Sequence, residues 1–334
     1  MFDKASGGGD LVNIKRILVI RWDAKIGDSI VSSFFFRELK KYHKNIKVDV
    51  ITAPHMAAMY QEHFGVDHVY CCKKRPGYSE LKALAHEIGT ADLVIHLSKQ
   101  LKMKDIYFLR CLGADNVMGM DDELDLVNIK LGHATKGLHF SEKFAYALKL
   151  LGVSAPDRRY VIPEDVERQS RIKQEWPEQP VISINPYGSG SARRLNFDNV
   201  SMLVGLVTKY KPGWKICLMS TPDTKTETEQ WCDQLDTDNV FTVQSSETIQ
   251  DAIEIVRLSA AVISVDTAIV HIASGLNKPL LCIYNPSLSN YSEWGPNSKL
   301  SRTVFSEYEY GRVENINNIK VEKCCDVLHD LLRS

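Results

Sequence analysis
Short apolar runs alternate with stretches whose apolar residues recur every three or four positions, and this alternation runs along most of the chain. Ile17 to Arg21, Lys47 to Thr52, Val66 to Cys71, Asp92 to Leu97 and Asn116 to Gly119 read as strands. Helical patterns fall at about Ile30 to Tyr42, Ser79 to Ile88, Lys104 to Leu112 and Ser141 to Leu151. Ser154 to Arg159 then reads as a linker, with a junction somewhere between 153 and 178, and the pattern restarts. Strands are expected at Val181 to Asn185, Lys215 to Met219, Val240 to Val243, Ala260 to Val265 and, last, Pro279 to Tyr284. Helices are expected at about Asp198 to Tyr210, Lys225 to Leu235, Thr248 to Leu258, from Asp266-Thr267 to Gly275, and Val321 to Leu332. Strand–helix alternation of this kind argues for βαβ units and parallel sheets. Two α/β halves follow: a flexible segment at 1–13, domains at 14–160 and 161–318, and a C-terminal helix at 319–334. Ligands of such sheets lie at the carboxyl ends of strands, so two facing halves would form a cleft.

Composition narrows the class. A chain of 334 residues with 44% hydrophobic and 25% charged residues is that of a globular protein with room for two domains. Net charge is −1, so no overall basic field attracts nucleic acid. The eight cysteines include two adjacent pairs but no CxxC, and read as reduced thiols of a cytoplasmic protein. The opening MFDKASGGGD lacks the apolar core of a secretory signal, and no apolar run is long enough to cross a bilayer.

Three strand-end loops carry the chemistry. The first, Arg21 to Ser29, holds Gly27 and Asp28 at a helix start; Asp28 reads equally as an N-cap or as a catalytic acid. It is neither GxGxxG nor a Walker loop, which weakens an NAD-dependent reading. The second, Tyr187-Gly188-Ser189-Gly190-Ser191-Ala192-Arg193-Arg194, joins bare backbone, hydroxyls and guanidiniums that suit phosphate oxygens, or forms a solvated turn. In the third, Asp266 caps a helix whose first amides and Thr267 hydroxyl suit an anion. His271 lies four residues on, sharing a face with Thr267, or is simply a packed histidine. The last two loops suggest a diphosphate site.

These loops resemble glycosyltransferase family nine, the ADP-heptose:lipopolysaccharide heptosyltransferases. Ile17-Leu18-Val19-Ile20-Arg21 with Gly27-Asp28 is similar to the family's opening strand and turn. Asn185-Pro186 with Gly188, Ser189 and Arg193-Arg194 resembles its glycine/hydroxyl loop, and Ser264-Val265-Asp266-Thr267 with His271, Ala273 and Lys278-Pro279 resembles its most specific signature. The similarity spans about residues 14 to 290. It implies a GT-B type α/β fold: two Rossmann-like domains with parallel sheets facing a central cleft, the first binding acceptor and the second nucleotide sugar. It implies transfer of heptose, with inversion, from ADP-heptose to the lipopolysaccharide inner core of a Gram-negative bacterium. By the same resemblance Asp28 is the general base. Ser189, Gly190, Ser191, Arg193, Arg194, Thr267 and the amide of Ala268 hold the diphosphate. Asp266, His271 and Asp223 face the donor sugar or nucleoside. The departures are Ala268 for glycine, Arg193 for lysine, Leu195 for tryptophan, and Ser220 to Asp223 in place of a glycine-rich turn. They leave the donor sugar and its base open.

No cofactor is expected, the nucleotide sugar being substrate. Asp236-Thr237-Asp238 has the spacing of a metal-binding DxD but reads as a turn, and HExxH is absent. Lys99, Lys102 and Lys104 form either a solvated helix face or a patch for the anionic acceptor at the cytoplasmic face of the inner membrane. Lys73-Lys74-Arg75 reads as a solvated loop that could touch lipid head groups, and Trp294 as packing. The expectation is a metal-independent inverting glycosyltransferase. The alternatives are a relative using another nucleotide sugar or acceptor, and a non-catalytic nucleotide-sugar-binding protein.

Overall fold
The computed structural model describes residues 11, 13–23, 25–235, 238–308 and 314–333. The segment expected to be flexible, 1–13, lies outside the described residues except for Leu11 and Asn13. The chain divides into two compact units, Met1–Val161 and Ile162–Ser334.

The first unit contains β1 (Arg16–Arg21), α1 (Ile26–Tyr42), β2 (Lys47–Thr52), β3 (His68–Cys71), α2 (Tyr78–Ile88), β4 (Leu93–His96), α3 (Met103–Leu112), β5 (Asn116–Gly119), β6 (Ile129–Lys130) and α4 (Phe140–Leu150). Its strands order β3-β2-β1-β4-β5-β6, and every pair is parallel. Residues 17–20 of β1 are all buried, as a parallel strand covered on both faces requires. Phe34, Phe35 and Phe36 of α1 are fully buried, and Tyr60, Phe64 and Phe144 pack on their rings.

The second unit contains α5 (Val166–Lys173), β7 (Val181–Asn185), α6 (Phe197–Tyr210), β8 (Lys215–Leu218), α7 (Lys225–Leu235), β9 (Val240–Phe241), α8 (Ile249–Leu258), β10 (Ala261–Val265), α9 (Ala268–Gly275), β11 (Leu280–Tyr284), α10 (Leu288–Trp294), β12 (Ser301–Phe305) and α11 (Val321–Arg333). Its sheet order, β12-β11-β10-β7-β8-β9, again has only parallel pairs. Read from β9, it is the arrangement of the first unit. In each sheet the first strand (β1 or β7) lies beside the fourth (β4 or β10), and connections run outward from that pair in opposite directions. The crevice beyond the carboxyl ends of such a pair is where ligands of doubly wound sheets bind. Cys324, Leu328, Leu331 and Leu332 of α11 are buried in the second unit's core, so this helix is an integral layer of it.

Several sequence expectations change. Pro279 to Tyr284 is not the last strand, because β12 follows and pairs with β11 in register from Leu280↔Ser301 to Tyr284↔Phe305. Helix α1 starts at Ile26, a turn earlier than expected, because the Ser29 amide bonds Lys25 O at 3.1 Å and closes a turn around Gly27. Asp28 therefore sits within the first helical turn and is not the N-cap. The segment 154–159 is no loose linker. Arg37 of α1 donates to the carbonyls of Asp157 and Arg159, and buried Glu38 accepts the Asp157 amide at 3.0 Å. Helix α5, unread because only Ile172 of it is buried, is fastened by charge. Arg168 and Arg171 both reach the fully buried carboxylate of Asp251 on α8.

Candidate active site
The first unit carries a cavity of about 610 Å³ at its crevice. Arg21, Trp22 and Asp23 line it from the end of β1, Asp28 from α1, and His96, Leu97, Ser98 and Gln100 from the end of β4. Lys102, Met103, Lys104 and Asp105 of the α3 start, and Lys74, Arg75 and Pro76 after β3, complete one side. The Trp22 ring centroid lies 5.8 Å from that of His96 and 5.2 Å from that of Phe108. His96 Nε2 lies 3.2 Å from Asp105 Oδ1. Burial pushes the Asp105 carboxyl up, but His96 and the Lys102 amide together hold it below the usual carboxylate range. The Leu101 amide donates to Asp121 at 2.8 Å and fixes the loop ahead of α3.

Asp28 is the acid that this setting changes most clearly. Its side chain is 15% exposed, with Lys25 Nζ 3.9 Å away. Burial raises its pKa to about 6; Arg21 and Lys25 pull against that, and Asp23 adds to it. A carboxylate in that range is ionised at neutral pH yet basic enough to accept a proton. Lys102 and Lys104 line this cavity with Asp28. Lys104 Nζ also donates to Pro76 O at 2.5 Å. Lys99 is exposed and outside the lining, although its neighbours Ser98 and Gln100 are part of it. The 73–75 loop is not merely solvated: Lys73 is tied to Glu80 at 2.5 Å, which leaves Lys74 and Arg75 on the cavity wall.

The second unit brings part of the predicted set together at the ends of β7 and β10. Asn185, ending β7, donates to Ser264 Oγ at 3.1 Å and to Thr267 Oγ1 at 3.0 Å, pinning the ends of β7 and β10 together. The N-cap of α9 is Thr267, whose hydroxyl accepts the Ile269 amide at 3.3 Å, and not Asp266 as expected. Asp266 instead turns to Arg193, at 3.1 Å, and accepts from Asn290 at 3.3 Å. The opposing loop is folded tightly back. The Leu195 amide bonds Pro186 O at 2.9 Å, Gly190 has φ +85°, and a Cβ on Gly188 would lie 2.3 Å from the Arg193 carbonyl oxygen. Ser189, Gly190 and Ser191 are exposed on its outer edge. Arg194 pairs with Glu227 and lies over the Tyr187 ring, 4.8 Å from its centroid. Thus the two guanidiniums at this site rest on internal carboxylates.

His271 is 4% exposed, its ring centroid 6.4 Å from that of Trp294 in a T-shaped contact, so both belong to the packing of α9 against α10. Asp223 is exposed in a 3-10 turn after β8. Of the DxD triplet, Asp236 and Thr237 lie outside the described residues, and the Asp238 carbonyl accepts from Lys215. All eight cysteines are free thiols; among them Cys217 is fully buried, and burial pushes its pKa up to about 12. Sequence reasoning missed Arg21, Asp23, His96 and Asp105 as site residues. A charged residue ending an otherwise apolar strand was the available signal for Arg21. His96 and Asp105 meet only through the fold.

The profile of glycosyltransferase family 9 (heptosyltransferase) matches residues 81–323. A protein of Escherichia coli (strain K12), provisionally named lipopolysaccharide heptosyltransferase 4, is 25% identical over 333 residues, covering 95% of this chain and 90% of that one. The glycosyl transferase family 9 structure from Veillonella parvula superposes with a TM-score of 0.78 at 17% identity, over 96% of this chain and 98% of the other. The E. coli ADP-heptose LPS heptosyltransferase II superposes at 0.73 and 17% identity, over 95% and 98% of the two chains. E. coli heptosyltransferase WaaC, solved with ADP, superposes at 0.70 and 17% identity, over 95% and 99%. The two doubly wound units have the GT-B architecture of these structures. The chain belongs to glycosyltransferase family 9, the heptosyltransferase family, and is a glycosyltransferase.

Proposed function
We propose that this protein moves a heptose from ADP-heptose to the lipopolysaccharide inner core with inversion at the anomeric carbon. The observation that carries this reading is Asp28: a largely buried acid, its pKa raised to about 6, opening onto a cavity rimmed by Lys74, Arg75, Lys102 and Lys104. In the proposed reaction the acceptor occupies that cavity with a hydroxyl against Asp28. The carboxylate removes the proton as the oxygen attacks C1, and the C1–O bond to the diphosphate breaks in the same displacement. An attack from the face opposite the leaving group gives inversion.

The donor falls to the second unit. Its diphosphate lies against Thr267, the first amides of α9 and the 189–191 edge, where the helix start and hydroxyls favour an anion. Arg193 and Arg194 exchange Asp266 and Glu227 for phosphate oxygens, and fixed donors stabilise the departing ADP. Asp266, once released, faces the sugar, and Asp223 faces the nucleoside. Metal-independence is part of the proposal. An excess of EDTA is expected to leave turnover unchanged.

The acceptor's anionic groups meet the basic rim, and exposed Met103 (62%) and Tyr78 (49%) beside it suit a protein that works peripherally at the cytoplasmic face of the inner membrane. Among the described residues no helix is long and apolar enough to cross a membrane. The test is incubation with ADP-heptose and other nucleotide sugars against a panel of truncated lipopolysaccharide cores, read by mass spectrometry. A gain of one heptose from ADP-heptose supports the reading. A gain from another donor alone, or none across the panel, overturns it.

A further inference from the structure
Arg21 is a charged side chain where the fold would more cheaply place an apolar one. It ends β1 at 6% exposure, with its guanidinium carbon 5.7 Å from the centroid of the Phe144 ring. Its Nε and Nη2 have no hydrogen-bond partner among the described residues. The nearest carboxylate to Nη2 is Asp23, at 3.6 Å, beyond hydrogen-bond range. An arginine does not shed its proton under such burial, so a full positive charge stands in the wall of the cavity that holds Asp28. Burial works against that charge, but Asp23, Tyr60 and Asp28 outweigh it and keep the guanidinium protonated.

We propose that Arg21 and Asp23 act as a charge couple that sets the basicity of Asp28, with neither of them touching the reacting atoms. The proposal rests on the reading of Asp28 as general base. Its logic is a balance. Burial alone would leave Asp28 protonated too far up the pH scale, and Arg21 favours the ionised form. A direct Arg21–Asp28 bridge would overshoot and make a poor base. Asp23 prevents this by drawing the guanidinium to itself and offsetting part of its charge. Asp28 feels Arg21 from β1, and Asp23 and Lys25 from the β1–α1 connection. Around the cavity it also faces His96 with Asp105 and the exposed rim cations, which solvent screens. Both members of the couple are positioning residues.

The couple predicts opposite shifts from its two halves, which loss of structure would not produce. In the full-length protein, the Asp28 carboxyl is titrated by 13C NMR and the pH profile of transfer is recorded. Asp23→Asn is expected to lower both the carboxyl titration and the acid limb of the profile by at least about half a pH unit. Arg21→Gln is expected to raise both by at least about as much, and Arg21→Lys to restore values near native. Arg21 is buried and its variant can misfold; Asp23 has a side chain 38% exposed, so its variant carries the test alone. An unmoved or raised carboxyl titration in Asp23→Asn overturns the couple. If the carboxyl moves as stated while the acid limb stays, the couple stands and Asp28 is not the base.

Discussion

Asp28 is kept in a place that costs the fold something. Its carboxyl titrates near 3.8 when free and near 6 in the folded chain. The folded state therefore holds a proton that the unfolded chain releases. Stability linked to this group is fully present below about pH 4 and is lost as pH rises through about 6. At neutral pH the ionised, 15%-exposed carboxylate is a net liability of about 3 kcal/mol. Asp28→Asn is accordingly expected to be more stable than the native protein at neutral pH, by about that amount, with the gain shrinking towards pH 4. Urea denaturation at the two pH values measures it; an equal or lower stability at neutral pH contradicts the burial account. The sequence placed Asp28 at a helix start beside a glycine but left its role open between cap and base. What separates the two is the first turn beginning at Ile26 and the wall that Arg21, Trp22 and Asp23 build around it, and neither is a local property.

At the scale of elements, the apolar strands were the legible part. Val181–Asn185, Lys47–Thr52 and Asn116–Gly119 are read from sequence at their observed bounds, because each is a short, largely buried run with apolar residues on both faces, even where Lys47–Thr52 carries Asp49, paired with Arg16 at 2.7 Å. The elements that escaped are those fixed by something other than an apolar face. Helix α5 hangs on the Arg168, Arg171 and Asp251 charges. Strand β6 is two residues long, and β12 is an edge strand with only Val304 buried. The loop from Pro186 to Arg194 was recognised by composition, but its purpose lies in its closure: Gly188 is pressed onto Arg193. Adding one methyl there must move that carbonyl and, with it, the Arg193 side chain that reaches Asp266. Gly188→Ala is expected to weaken ADP binding about tenfold or more while lowering stability by about 1–3 kcal/mol, as strained backbone substitutions do. Calorimetric titration with ADP beside thermal unfolding checks this; native affinity would show that the loop's closed form is not needed for the diphosphate.

At the scale of the whole molecule, a net charge of −1 conceals a local excess of cations where the first unit opens. The sequence offered two lysine-rich stretches separated by α2, and nothing local says that they meet. The sheet order brings the ends of β3 and β4 round the same cavity, so that Lys74, Arg75, Lys102 and Lys104 share one rim while Lys99 does not. Replacing Lys74 and Arg75 by glutamate is expected to raise the acceptor KM about tenfold and flatten its salt dependence, with ADP affinity unchanged. Initial rates at two ionic strengths test it; an unchanged KM removes these residues from acceptor binding. The central claim remains that one carboxylate of the first unit takes the acceptor's proton. Its most direct test is single-turnover heptose transfer by Asp28→Asn at saturating ADP-heptose, with donor affinity measured in parallel. The account predicts native donor affinity and a rate lower by about 10²–10⁴-fold. Transfer at the native rate would contradict it.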